Sequence, residues 1–481
     1  MRARILASFL DDEQRKWWTL GAVTFGLFMI MLDNTIVNVA LPSIQSDLHI
    51  KNVSQLEWVV AGYALTFAVM MLTGGKLADL YGRRRIFILG LAVFTASSLA
   101  CGLAPNAGFL IGARIVQGVG SAMMNPATLS IISATFPPRQ RGMAIGIWAG
   151  VSALALAIGP LVGGIITEHI NWNWIFFINV PVGALGIIVA RLVIRETKDT
   201  SEEQRLDLPG LLSSAVALFA LTYALIEANN KGWTSTEILV LFGVAAVGLV
   251  VFVQLELRQR IPMLDLSLFR NPTFAGANAV MLLVSLAMFG VFFFISLYMQ
   301  NVLGYSATQA GATFLPMTVL IVLVAPIAGR ITDRVGSRWL VGAGMTLVGC
   351  SLLLFARLQV DSTFWDILPA LLVGGTGMAM SLSPTTATAM GSVPVDKAGV
   401  GSAVLNSMRQ VGGSLGIAVL GAIMTSYVRV GPRDPRAPAQ FVHGLHHALL
   451  ISAAIAFGAA AVGVATIRHH VHACDPALEA G

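Results

Sequence analysis

Charge is scarce in this chain. Only 11% of its 481 residues are Asp, Glu, Lys or Arg, 56% are hydrophobic, and the mean hydropathy is +0.78. A soluble domain carries about 25% charged residues, so the scarcity excludes an ordinary soluble enzyme and points to a polytopic membrane protein. The formal charge of +6 does not imply nucleic acid as a partner, because the basic residues fall in short loops between apolar runs. Cysteine is also scarce: Cys101, Cys350 and Cys474 provide no disulfide framework. A cleaved secretory signal is not expected, since the polar N-terminal segment leads into a run too long for a signal peptide. No P-loop is present and the loops are too short for an ATPase domain, so no cofactor is expected and an ion gradient must supply the energy. His443, His446 and His447 lie in or beside one loop, but a metal site is not expected there.

What the chain has instead is a repeated polar turn. Residues 74–85 read GGKLADLYGRRR, with Lys76, Arg83, Arg84 and Arg85 around a single acid, Asp79. Residues 328–338, AGRITDRVGSR, are a degenerate copy. One offset of 254 aligns Gly75 with Gly329, Asp79 with Asp333, Gly82 with Gly336 and Arg84 with Arg338. Such a repeat between apolar helices suggests two related halves.

Fourteen apolar runs, the first at about residues 17–41 and the last at 447–468, are each long enough to cross a hydrocarbon core of about 30 Å. With the N-terminus inside, 22 Lys and Arg fall on the cytoplasmic side and 6 outside, while Arg114 and Arg409 lie within runs. The positive-inside rule and the even count then place both termini in the cytoplasm. Runs one to five map onto runs nine to thirteen at the repeat offset. The expected fold is therefore all-α: a six-helix bundle over residues 1–195, an inserted transmembrane pair with its linkers over 196–270, and a second six-helix bundle with a short tail over 271–481. Two bundles facing each other across a cavity make a transporter architecture.

Within the runs, Asp33 reads as the only acid well inside a span. An ionised carboxylate in a bilayer costs several kcal/mol, so it should face the bundle interior and have a purpose. It lies past the midplane towards the outside, and Arg114, early in a span entered from outside, should reach a similar depth. A carboxyl that exchanges Arg114 for a proton is a plausible carrier of protons, and Asp33 is also a candidate for contact with substrate in the cavity; a static buried ion pair is the alternative. Arg409, near mid-depth, lacks an obvious acid and suits an anionic substrate group or a structural post. Gln117 serves as cavity lining or interhelical glue, and Met124, Asn125 and Phe289 are further cavity candidates. Gly159 with Gly163, and Gly412 with Gly416, form G-x-x-x-G pairs that permit close helix approach, and Pro160 can bend its helix.

Several stretches carry a family resemblance. The 74–85 turn, LDNTIVNVALP at 32–42, RIVQGVGSA at 114–122, AIGPLVGG at 157–164, WNWIFFINVPVG at 172–183 and MRQVGGSLG at 408–416 resemble, in order, motifs of the major facilitator superfamily, specifically its fourteen-helix drug–proton antiporter branch. Asn173 departs from the arginine usual there. The resemblance implies a conformational latch at Gly75, Asp79, Gly82, Arg83 and Arg84, with Asp333, Gly336 and Arg338 as its copy. It also implies proton coupling through Asp33 and Arg114, and a bendable seam between the bundles at Gly159, Pro160, Gly163, Gly164, Gly412 and Gly416. The expected function is proton-driven export of small hydrophobic, cationic or neutral compounds across the cell membrane. A metabolite exporter of the same fold, or a non-transporting sensor, is the alternative. The expected partners are the substrate, protons and the bilayer; an adaptor protein is conceivable.

Overall fold

Apolar chain without water around it must satisfy its own backbone, and does so by forming helices. A computed structural model describes residues 11–50, 52–197, 206–259, 262, 264–393, 398–428 and 434–467. The first group of helices comprises α1 (Asp12–Asp47), α2 (Val53–Tyr81), α3 (Arg83–Gly102), α4 (Ala107–Thr135), α5 (Pro138–His169), α6 (Trp174–Phe177) and α7 (Asn179–Val193). An intervening pair follows, α8 (Leu208–Lys231) and α9 (Thr236–Arg258). The second group comprises α10 (Pro272–Asn301), α11 (Ala307–Thr313), α12 (Leu315–Val335), α13 (Ser337–Phe355), α14 (Phe364–Gly391), α15 (Ala398–Tyr427) and α16 (Ala437–Thr466). Taking α6 with α7 and α11 with α12 as single interrupted passes gives fourteen among the described residues. Thirteen of them are long and apolar enough to cross a membrane. The other, α5, has 32 residues and runs partly over side chains outside the described set.

Local chemistry sets the joints. The α2–α3 and α12–α13 junctions each consist of one glycine, Gly82 at φ +108° and Gly336 at φ +85°. A residue with a Cβ is strained at such angles, so the repeated turn keeps its glycine in both halves. Elsewhere side chains start the helices: Asn106 accepts from Phe109 N at 2.9 Å at the head of α4, and Asp207 accepts from Gly210 N at 2.7 Å at the head of α8.

Helices α1–α7 pack mainly on one another, as do α10–α16, while α8 touches both α2 and α15. The 82–85 turn, with its three consecutive arginines, marks the basic end of the molecule. At the opposite end the two groups are fastened together. Ser296 donates to the Asn38 carbonyl at 3.0 Å and Gln300 to the Val39 carbonyl at 3.0 Å. Thr308 N donates to the Glu168 carboxylate at 2.9 Å, and Ser414 to the Ala61 carbonyl at 3.3 Å. Closer to mid-depth, Ser407 donates to the Ala68 carbonyl at 3.3 Å.

The G-x-x-x-G pairs require a correction. A Cβ on Gly159 or Gly163 would strike Thr35 or Ile36 of α1, and one on Gly412 or Gly416 would strike the Leu282 or Leu286 carbonyl of α10. Both pairs therefore weld helices within a bundle, at equivalent places in the two halves, instead of forming the seam between bundles. The cross-bundle contact is made one residue later: Gly164 sits against the Ala307 backbone, and Gly311 of α11 against the Pro160 carbonyl. G-x-x-x-G spacing reports only close approach; it does not name the helix approached.

Candidate functional site

Asp33 lies mid-helix on α1 and is 1% exposed. Arg114, equally buried on α4, donates from Nη1 to Asp33 Oδ2 at 2.5 Å. Gln117, one turn along α4, donates from Nε2 to Asp33 Oδ1 at 3.0 Å and accepts from Arg114 Nη1 at 2.8 Å. Arg114 Nε donates to the Val59 carbonyl at 3.1 Å, and the guanidinium lies 4.1 Å from the Tyr63 ring centroid and 5.7 Å from that of Phe176. Tyr63 itself bonds Ser121 at 2.8 Å. Ser98 extends the network, accepting from Gln117 at 3.4 Å and from Asn179 at 3.0 Å while donating to the Phe176 carbonyl at 3.0 Å.

Such a network suits an ion pair in a dry interior. Burial penalises both charges, and only a partner with further hydrogen bonds offsets the penalty. Here Asp33 accepts on both oxygens, and the arginine, always charged, has carboxylate, amide, carbonyl and aromatic partners. If Asp33 took up a proton, the Arg114 charge would lose its counter-ion, so protonation must loosen the α1–α4 contact. The C-terminal half does not repeat the pair at the equivalent positions: the offset places Ala287 opposite Asp33 and Leu368 opposite Arg114.

The remaining cavity candidates are scattered. Met124 has no exposed surface and fills the gap between Gly26 of α1 and Gly90 of α3, which corrects its assignment as a cavity residue: it is interior packing. Asn125 is also buried on α4. Phe289 of α10 lies against Gly413 of α15. Arg409 of α15 reaches across to α1, 3.9 Å from Met31 Sδ, and its buried Nε has no hydrogen-bond partner among the described residues. Near the basic end, an open apolar recess of about 440 Å³ lies between α1 and α5, walled by Trp17, Leu20, Phe25, Phe28 and Ile147.

The latch residues contact their own bundle. Arg83 bonds Asp79 at 3.1 Å across the Gly82 turn. Arg84 N donates to Glu196 Oε1 at 3.1 Å, and Arg83 N to the Thr197 carbonyl at 2.8 Å. The turn is thus tied to the segment after α7, the last helix of the same bundle, and among the described residues these ties stay within that bundle. In the copy, Arg338 stacks 5.3 Å from the Trp339 ring, and the Asp333 side chain lies outside the described residues.

Sequence reasoning missed Ser98 and Asn179, whose signal was polarity inside apolar runs. It also missed Glu57. Asp33 is not the only interior acid: α2 begins at Val53, earlier than the apolar run suggested, so Glu57 stands one turn inside the helix and is 1% exposed.

The family model described as Major Facilitator Superfamily matches residues 23–417. The chain is 38% identical over 413 residues to the "Multidrug resistance protein Stp" of Mycobacterium tuberculosis, covering 85% of this chain and 76% of that one. It is 35% identical to the "Tetracenomycin C resistance and export protein" of Streptomyces glaucescens, covering 88% and 81%. Identity to the "Puromycin resistance protein pur8" of Streptomyces alboniger is also 35%, covering 94% and 90%. The fold is similar to a bacterial homologue of the human lysosomal transporter Spinster in its inward-facing, unoccupied conformation, with TM-score 0.67 and 18% identity over 94% of this chain and 97% of that one. The chain belongs to the Major Facilitator Superfamily, in the branch that holds these resistance proteins, and is a membrane transporter rather than an enzyme.

Proposed function

We propose that this transporter exports small hydrophobic compounds, cationic or neutral, in exchange for protons. The observation that carries the proposal is the dry Asp33–Arg114–Gln117 network, a lone carboxylate whose charge holds two helices together. The basic end faces the cytoplasm of a cell membrane, with both termini there. The bundles alternate in exposing a central cavity to the two sides, and hydrogen bonds away from the basic end fit the outward-closed member of that pair. Compounds enter from the cytoplasmic side along apolar walls such as the Phe25–Phe28 recess. A proton arriving from outside neutralises Asp33, frees Arg114 and resets the bundles. The gradient favours this direction, since the membrane potential adds about 2.3 kcal/mol per proton per 100 mV. The named activities of the relatives, resistance to multiple drugs, tetracenomycin C and puromycin, agree with export of apolar compounds.

The experiment is proton release on substrate addition to purified protein, wild type and Asp33→Asn, across a panel of dyes and cationic antiseptics. Release in the wild type that disappears in Asp33→Asn, with binding retained, is the expected outcome. Release that survives the substitution would move the carrier elsewhere. One observation favours a second function, metabolite export: the unpartnered Nε of Arg409 offers a donor to an anionic group. In that case panel compounds fail to bind and organic anions compete at Arg409.

A further inference from the structure

Among the described residues two buried acids outside the exchange scheme stand out, Glu256 and Glu57; Glu256 accepts from Leu264 N at 2.9 Å, and Glu57 is the unbonded one. It stands a turn inside α2 at the end away from the basic turn, 1% exposed, and neither carboxylate oxygen has a hydrogen-bond partner among the described residues. Asp33 shows how this fold treats a buried anion, giving it an arginine and an amide; Glu57 has neither. Two helices of different origin close over it. From α15 of the C-terminal bundle comes Gly421, whose missing side chain leaves the space that the carboxyl fills, and Ala418, which packs with Ala61 and Ile226. From the inserted pair comes α8, where Asn230 donates to Ser54 at 2.8 Å and to Glu227 at 3.1 Å, setting a second carboxylate beside Glu57. Asn229 then carries α8 on to Thr425 of α15 at 2.6 Å. Among the described residues the charge acting on Glu57 is that of Glu227. Arg114 reaches α2 at the Val59 carbonyl, but its charge is held by Asp33. The α15 face offers Gly421 and Ala418, which have no charge.

An ionised carboxylate in such a place, unbonded and next to another acid, costs several kcal/mol, whereas the neutral acid is tolerated. Separating α2 from α15 would wet the site and relieve the charge. We infer that Glu57 is an external-proton gate: the outer ends of the two bundles, clamped by the inserted pair, close only around a neutral Glu57 carboxyl. The proton comes from the outer side when the seam is open and returns there when it reopens, so it regulates the reset step without being transported. Acid outside thus favours closure, the direction in which an exchanger returns to load cargo. One proton per closure limits the response to a tenfold change in the closed-to-open ratio per pH unit.

The inference rests on the alternating access proposed above, but not on the substrate or on Asp33 as carrier. It is tested without substrate on full-length protein carrying Asp33→Asn, with Cys350 and Cys474 replaced by serine. Spin labels at Ser46→Cys and Asp361→Cys, both exposed, report the distance across the outer end between about pH 5 and 9. The closed distance is expected to give way to a longer one as pH rises. Glu57→Gln should hold it closed throughout. Glu227→Gln should move the midpoint down by about half a unit or more, since a facing anion no longer opposes ionisation. A pH response identical in Glu57→Gln and its parent would overturn the gate alone. A distance that never changes, with pH or with added substrate, both in this protein and with Asp33 restored, would overturn alternating access and the gate together. Should Glu57→Gln fail to fold, an unmoved midpoint in Glu227→Gln is enough to reject the proposal.

Discussion

Arg114 is held by four kinds of partner, which makes the consequences of altering it asymmetric. Replacing it with glutamine leaves Asp33 buried opposite a neutral group, and breaking a buried pair from one side costs about 3–5 kcal/mol. Combining Arg114→Gln with Asp33→Asn removes both charges, and most of that loss should return. Thermal unfolding of the two single variants and the double variant measures the coupling; additive losses would mean that the pair contributes no more than its separate contacts. Lysine should not rescue Arg114, because it lacks the second arm that donates to the Val59 carbonyl while the first holds Asp33. Transport and stability separate at this site: the double variant should fold well and exchange nothing.

At the scale of helices, adjacent glycines on α5 have different duties. A methyl on Gly163 enters the Ile36 backbone of α1 inside one bundle, whereas a methyl on Gly164 enters the Ala307 backbone of the other bundle. Gly163→Ala should lower stability by about 1–3 kcal/mol, as overpacking does in an interior that cannot part. Gly164→Ala should leave the melting temperature nearly unchanged and impair transport by wedging the outer closure, seen as a longer spin-label distance between Ser46→Cys and Asp361→Cys. Equal melting losses in the two variants would contradict this division. The inserted pair belongs to the same scale. Helix α9 is mostly turned outward, while α8 is hydrogen-bonded to α2 and α15, so the pair behaves as a strap over the joint between bundles.

For the whole molecule, two carboxylates at the end away from the basic turn should respond to pH with opposite signs. Glu168, beyond the apolar part of α5, accepts from Ser306 and Thr308 of the other bundle, and these hydrogen bonds hold its carboxyl down at about 2 against an ordinary 4.5. A value depressed in the closed state means that its contribution to closure is complete above about pH 4.5 and is lost as pH falls towards 2. Between about pH 5 and 9 it is constant. Glu168→Gln should therefore reduce the closed fraction at every pH in that range and leave the slope unchanged, whereas Glu57→Gln should abolish the slope. Spin-label titrations of the two variants side by side distinguish a fixed clasp from a proton-dependent one.

The sequence by itself determined the membrane class, the fourteen passes and the two-fold repeat, because each follows from local quantities: lengths of apolar chain, loop charges, and a turn that needs glycine at positive φ. It also placed Asp33 and Arg114 at one depth, since helical rise converts residue counts into height. Tertiary structure decided which helix faces which. Gly159 and Gly163 announced close packing without saying that α1 was the neighbour, and the turn set Asp79 among four basic residues without revealing that Arg83, one turn away, is the one it bonds. Met124 looked like an adaptable wall and proved to be filler between two glycines. Glu57 looked like the end of a run, because a helix boundary set by backbone hydrogen bonds extends past one set by hydropathy. Azimuth and burial depend on contacts between segments hundreds of residues apart, and no local pattern in a uniformly apolar helix records them.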